Sequence, residues 1–208
     1  MASRFYSFSK AVMPPAEVSK IIDGLAACKY VGRSPLGQEF VRTLGFSIVF
    51  QREALDDVVE HFPFLDCFLD TVMFSDSNAF YVNPLILQGS SHVKAHIDCR
   101  LLPGDIRIIP NLVSVFYAEV DKAMQGGRLI LNVGGDDQVS LTPEANSLVH
   151  FLGSTVHCVS RVRNPRRRIS VVCEQYNLDE QTLQGFPYFK VITDIDSAPR
   201  VNALASAS

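Results

Sequence analysis

The sequence predicts a mainly β fold with flanking helices, of the sandwich or jelly-roll kind, on three observations. From Asn78 onward, short runs rich in Val, Ile, Leu, Phe and Tyr alternate with Gly, Pro, Asn and Asp, which is the texture of a strand-dense core. Before that point, two apolar stripes recur at helical spacing. The chain of 208 residues, 47% hydrophobic and 20% charged, is long enough to bury a full core as one domain.

The first helix is expected over Pro15 to Lys29, where Val18, Ile21, Ile22, Leu25 and Ala26 fall on one face, and a second over Asp56 to Phe74. The strand runs follow in order as AFYVNPLIL, HVKAHID, LVSVFYAEV, GGRLILNVGGDD, QVSLTP, SLVHFLG, VHCVSRV and RRISVVCEQY. This divides the chain into a helical N-terminal part (1–77), a β-core (78–177) and a C-terminal extension (178–208). The stretch after Asp196 is small and polar enough to be disordered.

Composition narrows the partners. A formal net charge of -3 creates no field that would gather a polyanion, so nucleic acid is not expected, and the basic run from Arg161 to Arg168 reads first as a solvated loop. No window supplies the apolar length of a membrane helix, and the first residues lack a signal-peptide core, so a cytoplasmic location is expected. Five scattered cysteines without a Cys-x-x-Cys pair read as reduced thiols.

In HVKAHID a two-residue period sends His96 and Asp98 to one face, with Ile97 and Cys99 on the other. An imidazole and a carboxylate so placed suit a divalent metal, and one more histidine would complete the facial triad that holds non-haem Fe(II). His157, opening VHCVSRV, is the leading candidate, and His150 in SLVHFLG is its rival. Further on, Arg168 and Ser170 share a strand face, where a guanidinium fork and a hydroxyl form a clamp for a carboxylate. His92 and Lys94 alternate with His96 and could line the same pocket or mark the solvated end of the strand.

The order His96-x-Asp98, Phe116-Tyr117 on a strand, Gly126-Gly127 before a strand, His157 and Arg168-x-Ser170 resembles the 2-oxoglutarate/Fe(II)-dependent oxygenases, nearest to their prolyl-hydroxylase-like branch. The resemblance covers roughly residues 78 to 177. It implies a double-stranded β-helix, the cupin-like form of the jelly roll. It further implies iron on His96, Asp98 and His157, O2 and 2-oxoglutarate as cosubstrates, and Arg168, Ser170 and Tyr117 on the distal carboxylate of 2-oxoglutarate. Arg168 stands eleven residues after His157 where the family commonly has ten, so Arg167 is an alternative anchor. No tyrosine lies close before His96, leaving Tyr81 or Asn83 to replace a second tyrosine contact.

The implied chemistry also makes an electrostatic demand. Two neutral imidazoles and one carboxylate leave Fe(II) with one positive charge, doubly charged 2-oxoglutarate turns the sum negative, and a cation is needed at the far end. Because the carboxylate position is filled by Asp98, hydroxylation or desaturation is expected rather than halogenation. Hydroxylation of a small molecule, such as an amino acid or a natural-product intermediate, is the first expectation. A prolyl-type protein hydroxylase is the alternative, with Arg100 to Pro110 as a lid or groove wall, and a non-catalytic cupin-like metal-binding module is a further one. The N-terminal helices or the segment GFPYFKVITDI would provide the surface of a homodimer.

Overall fold

The computed structural model describes residues 5–102 and 106–194. In chain order the elements are β1 (Tyr6–Lys10), α1 (Pro15–Ala27), β2 (Gly32–Arg33), β3 (Phe40–Val41), β4 (Leu44–Gly45), β5 (Ser47–Gln51), α2 (Leu55–His61), α3 (Asp66–Val72), β6 (Ala79–Gln88) and β7 (His92–His96). They continue with β8 (Arg100–Leu102), β9 (Ile106–Ile108), β10 (Leu112–Val120), β11 (Leu129–Leu131), β12 (Val139–Leu141), β13 (Ser147–Leu152), β14 (His157–Val159), β15 (Arg167–Tyr176), α4 (Glu180–Gln184) and β16 (Phe189–Ile192).

Two antiparallel sheets form the jelly roll expected from the sequence. The larger has nine strands, with β1, β13, β10, β15, β6, β4 and β2 in order and β5 and β16 extending from β6; the smaller runs β12, β11, β14, β7, β3. All eight strand runs that the sequence predicts contain a strand. The N-terminal part is less helical than expected, because β1 to β5 lie within it and complete both sheets. Those strands are two to five residues long, too short for a period of two to show.

Alternation on the central strands separates two cores. On β10, Phe116 and Ala118 face a cluster with Ile21 and Leu25 of α1 and Phe68 and Leu69 of α3, while Val113, Val115 and Tyr117 face the space between the sheets. The helices therefore seal the outside of the large sheet and leave its inner face to the site. The second predicted helix is broken into α2 and α3 at Pro63, which lacks an N–H and holds Phe62 out of helical geometry, at φ -129° and ψ 64°.

Another proline, Pro84, sits in the middle of the long central strand β6. It lies where the neighbour of β6 changes from β4, which ends at Gly45↔Leu85, to β5, which begins at Ile48↔Val82. The break in that ladder is where a residue without an N–H is tolerated.

Arg100 to Pro110, the expected lid, contains the two-stranded β8–β9 ribbon, with 103–105 outside the described residues. The stretch after Asp196 is also outside them. Within the C-terminal segment suggested for a homodimer, Phe189 to Ile192 form β16 and pair with Phe50 to Ser47. Among the described residues, no helix is long and apolar enough to cross a membrane.

Gly126 adopts φ +86°, and a Cβ there would lie 1.9 Å from the Arg161 carbonyl oxygen. Gly126→Ala is therefore expected to destabilise the fold by about 1–3 kcal/mol, read as a lowered urea midpoint; an unchanged midpoint would contradict this close approach.

Candidate metal centre

The site is built where the two sheets face each other. β14 pairs with β7 so that His157 lies opposite His96, and two residues on, Val159 lies opposite Val93. Three residues of β7 thus span two of β14, a bulge that leaves Lys94 and Ala95 exposed and turns both Val93 and His96 inward. Of the two readings open for His92 and Lys94, lining the pocket is not the one realised: simple alternation would give them the face of His96, but the bulge gives it to Val93, which lines the cavity. Asp98 follows just after β7 ends and is brought to the same point.

One ligand-type atom from each of His96, Asp98 and His157 lies within 4.8 Å of the others, in a cluster formed by residues from both ends of the predicted constellation. His96 Nε2 is 3.3 Å from Asp98 Oδ1, and His157 Nε2 is 3.6 Å from Asp98 Oδ2. The Nδ1 atoms are turned to backbone, with Lys94 O at 2.9 Å from His96 and Thr155 O at 3.0 Å from His157. Those contacts fix each ring and aim its Nε2 at the common point, as the outer hydrogen bonds of metal-binding histidines do. His96 Nε2 is buried and makes no well-formed hydrogen bond in the protein.

The two imidazoles respond differently to their surroundings. Burial pulls the His96 pKa down, but the close contact and charge of Asp98 outweigh it, and the net shift is upward from 6.5. At His157 burial dominates and the shift is downward, opposed by the Asp98 charge and reinforced by His96. His150, the rival third ligand, is elsewhere: it pairs with Ser114 Oγ at 2.8 Å and packs edge-on against Phe74.

The cavity beside the cluster is lined on one wall by successive inward residues of β15, namely Arg168, Ser170, Val172 and Glu174. Arg168 is 1% exposed, donates from Nη1 to Gly127 O at 2.6 Å and lies over the Tyr117 ring at 5.1 Å. Its Nε and the Tyr117 hydroxyl are buried and make no well-formed hydrogen bond in the protein, although the two side chains adjoin each other. Burial raises the Tyr117 pKa against the pull of Arg168, and burial lowers that of Arg168. Ser170 donates to Leu85 O at 3.3 Å.

Arg167, the alternative anchor, turns to the opposite face and makes a bidentate pair with Glu119 at 2.8 and 3.0 Å. Arg166 pairs with Asp121 at 3.4 Å, so only Arg168 of the basic run lines the cavity. Of the replacements considered for a second tyrosine, Asn83 lines the cavity, while Tyr81 packs with Tyr176 and Phe186. Neither is level with Arg168, which pairs with Leu87.

Sequence reasoning did not single out Glu174, Leu36 or Phe40, all of which line the cavity. Glu174 was detectable, because it continues the two-residue period of Arg168 and Ser170. Leu36, in a turn-rich loop, and Phe40, on the two-residue strand β3, give no such signal.

In metal-free protein, Asp98→Asn is expected to lower the His96 pKa by removing the charge that outweighs burial, followed by NMR titration of the imidazole protons. An unmoved His96 titration would dismiss the contact.

No protein-family model matches the sequence, and comparison with curated proteins gives no match. Solved structures do match in fold. A Pseudomonas putida prolyl-4-hydroxylase superposes with a TM-score of 0.58 at 18% identity, over 86% of this chain and 95% of that one. A Trichoplax adhaerens prolyl hydroxylase, solved in complex with a hypoxia inducible factor oxygen degradation domain peptide fragment, gives 0.56 at 12% identity over 87% of each chain. HygX from Streptomyces hygroscopicus, solved with nickel and 2-oxoglutarate bound, gives 0.55 at 12% identity over 81% of each chain. The chain has the jelly-roll fold of these proteins, with a His-Asp-His cluster between its sheets.

Proposed function

We propose that this protein is an Fe(II)/2-oxoglutarate-dependent oxygenase that hydroxylates a C–H bond, with His96, Asp98 and His157 holding the iron. The observation that carries this reading is a pairing within one cavity. A two-histidine, one-carboxylate cluster shares that cavity with a wholly buried Arg168 whose Nε, like the neighbouring Tyr117 hydroxyl, makes no well-formed hydrogen bond in the protein. A buried cation and orphaned donors are costly unless a ligand meets them, and a dicarboxylic keto acid has the charge and the acceptors to do so.

The donor set fits the metal. Two neutral imidazoles and one carboxylate on one side of a divalent ion leave positions for other ligands, the arrangement used for Fe(II). When bound, iron supplies the site at which O2 is reduced at the expense of the keto acid's decarboxylation. The remaining work falls to the chain's own residues. Arg168, held by Gly127 O, receives the distal carboxylate; Tyr117 adds its hydroxyl; Ser170 stands one step along the same strand face. Leu85, Val113, Val115, Leu129 and Val159 line the rest and exclude water from the reacting atoms. Asp98 occupies the carboxylate position, which supports hydroxylation over halogenation.

Within this reading, a small-molecule substrate is the finer proposal. The predominantly apolar lining with a few placed polar groups supports it, as such sites suit compact ligands.

Anaerobic addition of Fe(II) and then 2-oxoglutarate is expected to produce a visible charge-transfer absorption; its absence would leave only a metal-binding module. Asp98→Gly is expected to abolish 2-oxoglutarate turnover, and undiminished succinate formation would refute the ligand assignment. Arg168→Ala strands a buried carboxylate at a loss of roughly 3 to 5 kcal/mol, so the concentration of 2-oxoglutarate required should rise by about a hundredfold or more. Arg167→Ala should leave it unchanged, and the reverse pattern would transfer the anchor to Arg167.

A further inference from the structure

The metal cluster borders two spaces. His96, Asp98, Leu36 and Phe40 line the inner cavity that ends at Arg168, and the same four line a second recess of about 340 Å³ that Arg168 and Ser170 do not reach. Local structure builds the wall they share. A turn closed by the Phe40 N–H donating to Gly37 O at 3.1 Å leads into β3, and the Lys94 N–H donating to Glu39 O at 2.9 Å ties that turn to β7. Phe40, opposite Val93, then sets its ring edge-on to the His96 imidazole, 5.3 Å between centroids. Ile97, between the two ligands of HVKAHID, is 38% exposed and lines the recess. One exposed isoleucine is ordinary. Here it joins Leu36 and Phe40 in a single concavity beside the cluster, and converging apolar side chains of that kind mark a ligand surface.

Glu39 gives the recess a charge. It is half-buried, and a Cβ on Gly37 would lie 2.5 Å from its Oε2, so the carboxylate is folded over Gly37. That carboxylate makes no hydrogen bond or ion pair with a described residue, and no Lys or Arg is among the described residues lining the recess. A carboxylate so placed at the wall of an apolar recess is complementary to a cation.

We infer that this recess, and not the inner cavity, receives the substrate, and that the substrate is a primary amine with a compact apolar body. The inference rests on the oxygenase reading above, in which 2-oxoglutarate reaches from the metal to Arg168 and so takes up the inner cavity. The apolar body packs among Leu36, Phe40 and Ile97, which brings its C–H bonds beside the cluster, and the ammonium meets Glu39.

The test uses the full-length protein loaded with Mn(II), which does not turn over, and with 2-oxoglutarate. Hexylamine, cyclohexylmethylamine and phenethylamine are titrated by calorimetry, each beside the alcohol of the same skeleton. At least one amine is expected to bind, with its alcohol weaker by about threefold or more, the modest gain of a partly exposed ion pair. Glu39→Gln is expected to remove that preference, and Gly37→Ala to reduce it by displacing the carboxylate while keeping its charge. Ile97→Ala is expected to weaken amine and alcohol alike by about threefold. The affinity for the amine should not fall as 2-oxoglutarate is added. Competition between the two would put the amine in the inner cavity; that result, binding by none of the amines, or a preference for amine that survives Glu39→Gln overturns the inference. Failure of 2-oxoglutarate itself to bind the Mn(II)-loaded protein would instead overturn the oxygenase reading.

Discussion

The antiparallel register that sets His157 opposite His96 is the constraint on which the site depends. Two strands separated by sixty residues of sequence meet at that pair, and the bulge beside it decides which side chains of β7 turn inward. Slipping the register by one residue would send His157 to the outer face and Cys158 to the inner one. The cluster of potential ligands is therefore a property of sheet pairing first and of side-chain chemistry second.

The large sheet provides the opposing wall, and its two faces do different jobs. Outward residues of β6, β10 and β15, such as Val82, Phe116 and Val171, pack under the helices and fix the sheet in place. Inward residues of the same strands supply Asn83, Tyr117, Arg168, Ser170 and Glu174. Rigid packing behind a strand is what holds polar groups in front of it at defined positions. The orphaned polar atoms at Tyr117 and Arg168 are tolerable in that setting, because the surrounding apolar core stabilises the sheet that bears them.

Charge is distributed along the cavity in the same ordered way. Arg168 is buried with a backbone carbonyl and an aromatic face for company, while Arg166 and Arg167, adjacent in sequence, pair with Asp121 and Glu119. A run that looks uniformly basic in sequence is divided where β15 begins: alternation turns Arg167 away from the interior face of Arg168, and Arg166 lies before the strand. The carboxylates Asp98 and Glu174 lie on opposite walls, one among the imidazoles and the other beyond Val172.

The sequence by itself determined the strand-rich core, the leading helix, and the candidates for the His-Asp-His cluster and the buried arginine, because each is carried by local periodicity or by residue types that few other environments use. It favoured His157 over His150 and Arg168 over Arg167 without being able to place them, since all four lie on strands and differ only in which face and which neighbour each strand acquires. The tertiary structure decided these. His150 pairs with Ser114, Arg167 with Glu119, and the bulge in β7 replaces Lys94 by Val93 in the cavity wall. The short strands β2 to β4 and the broken helix at Pro63 likewise depend on long-range pairing and on one backbone restriction that an apolar stripe does not register.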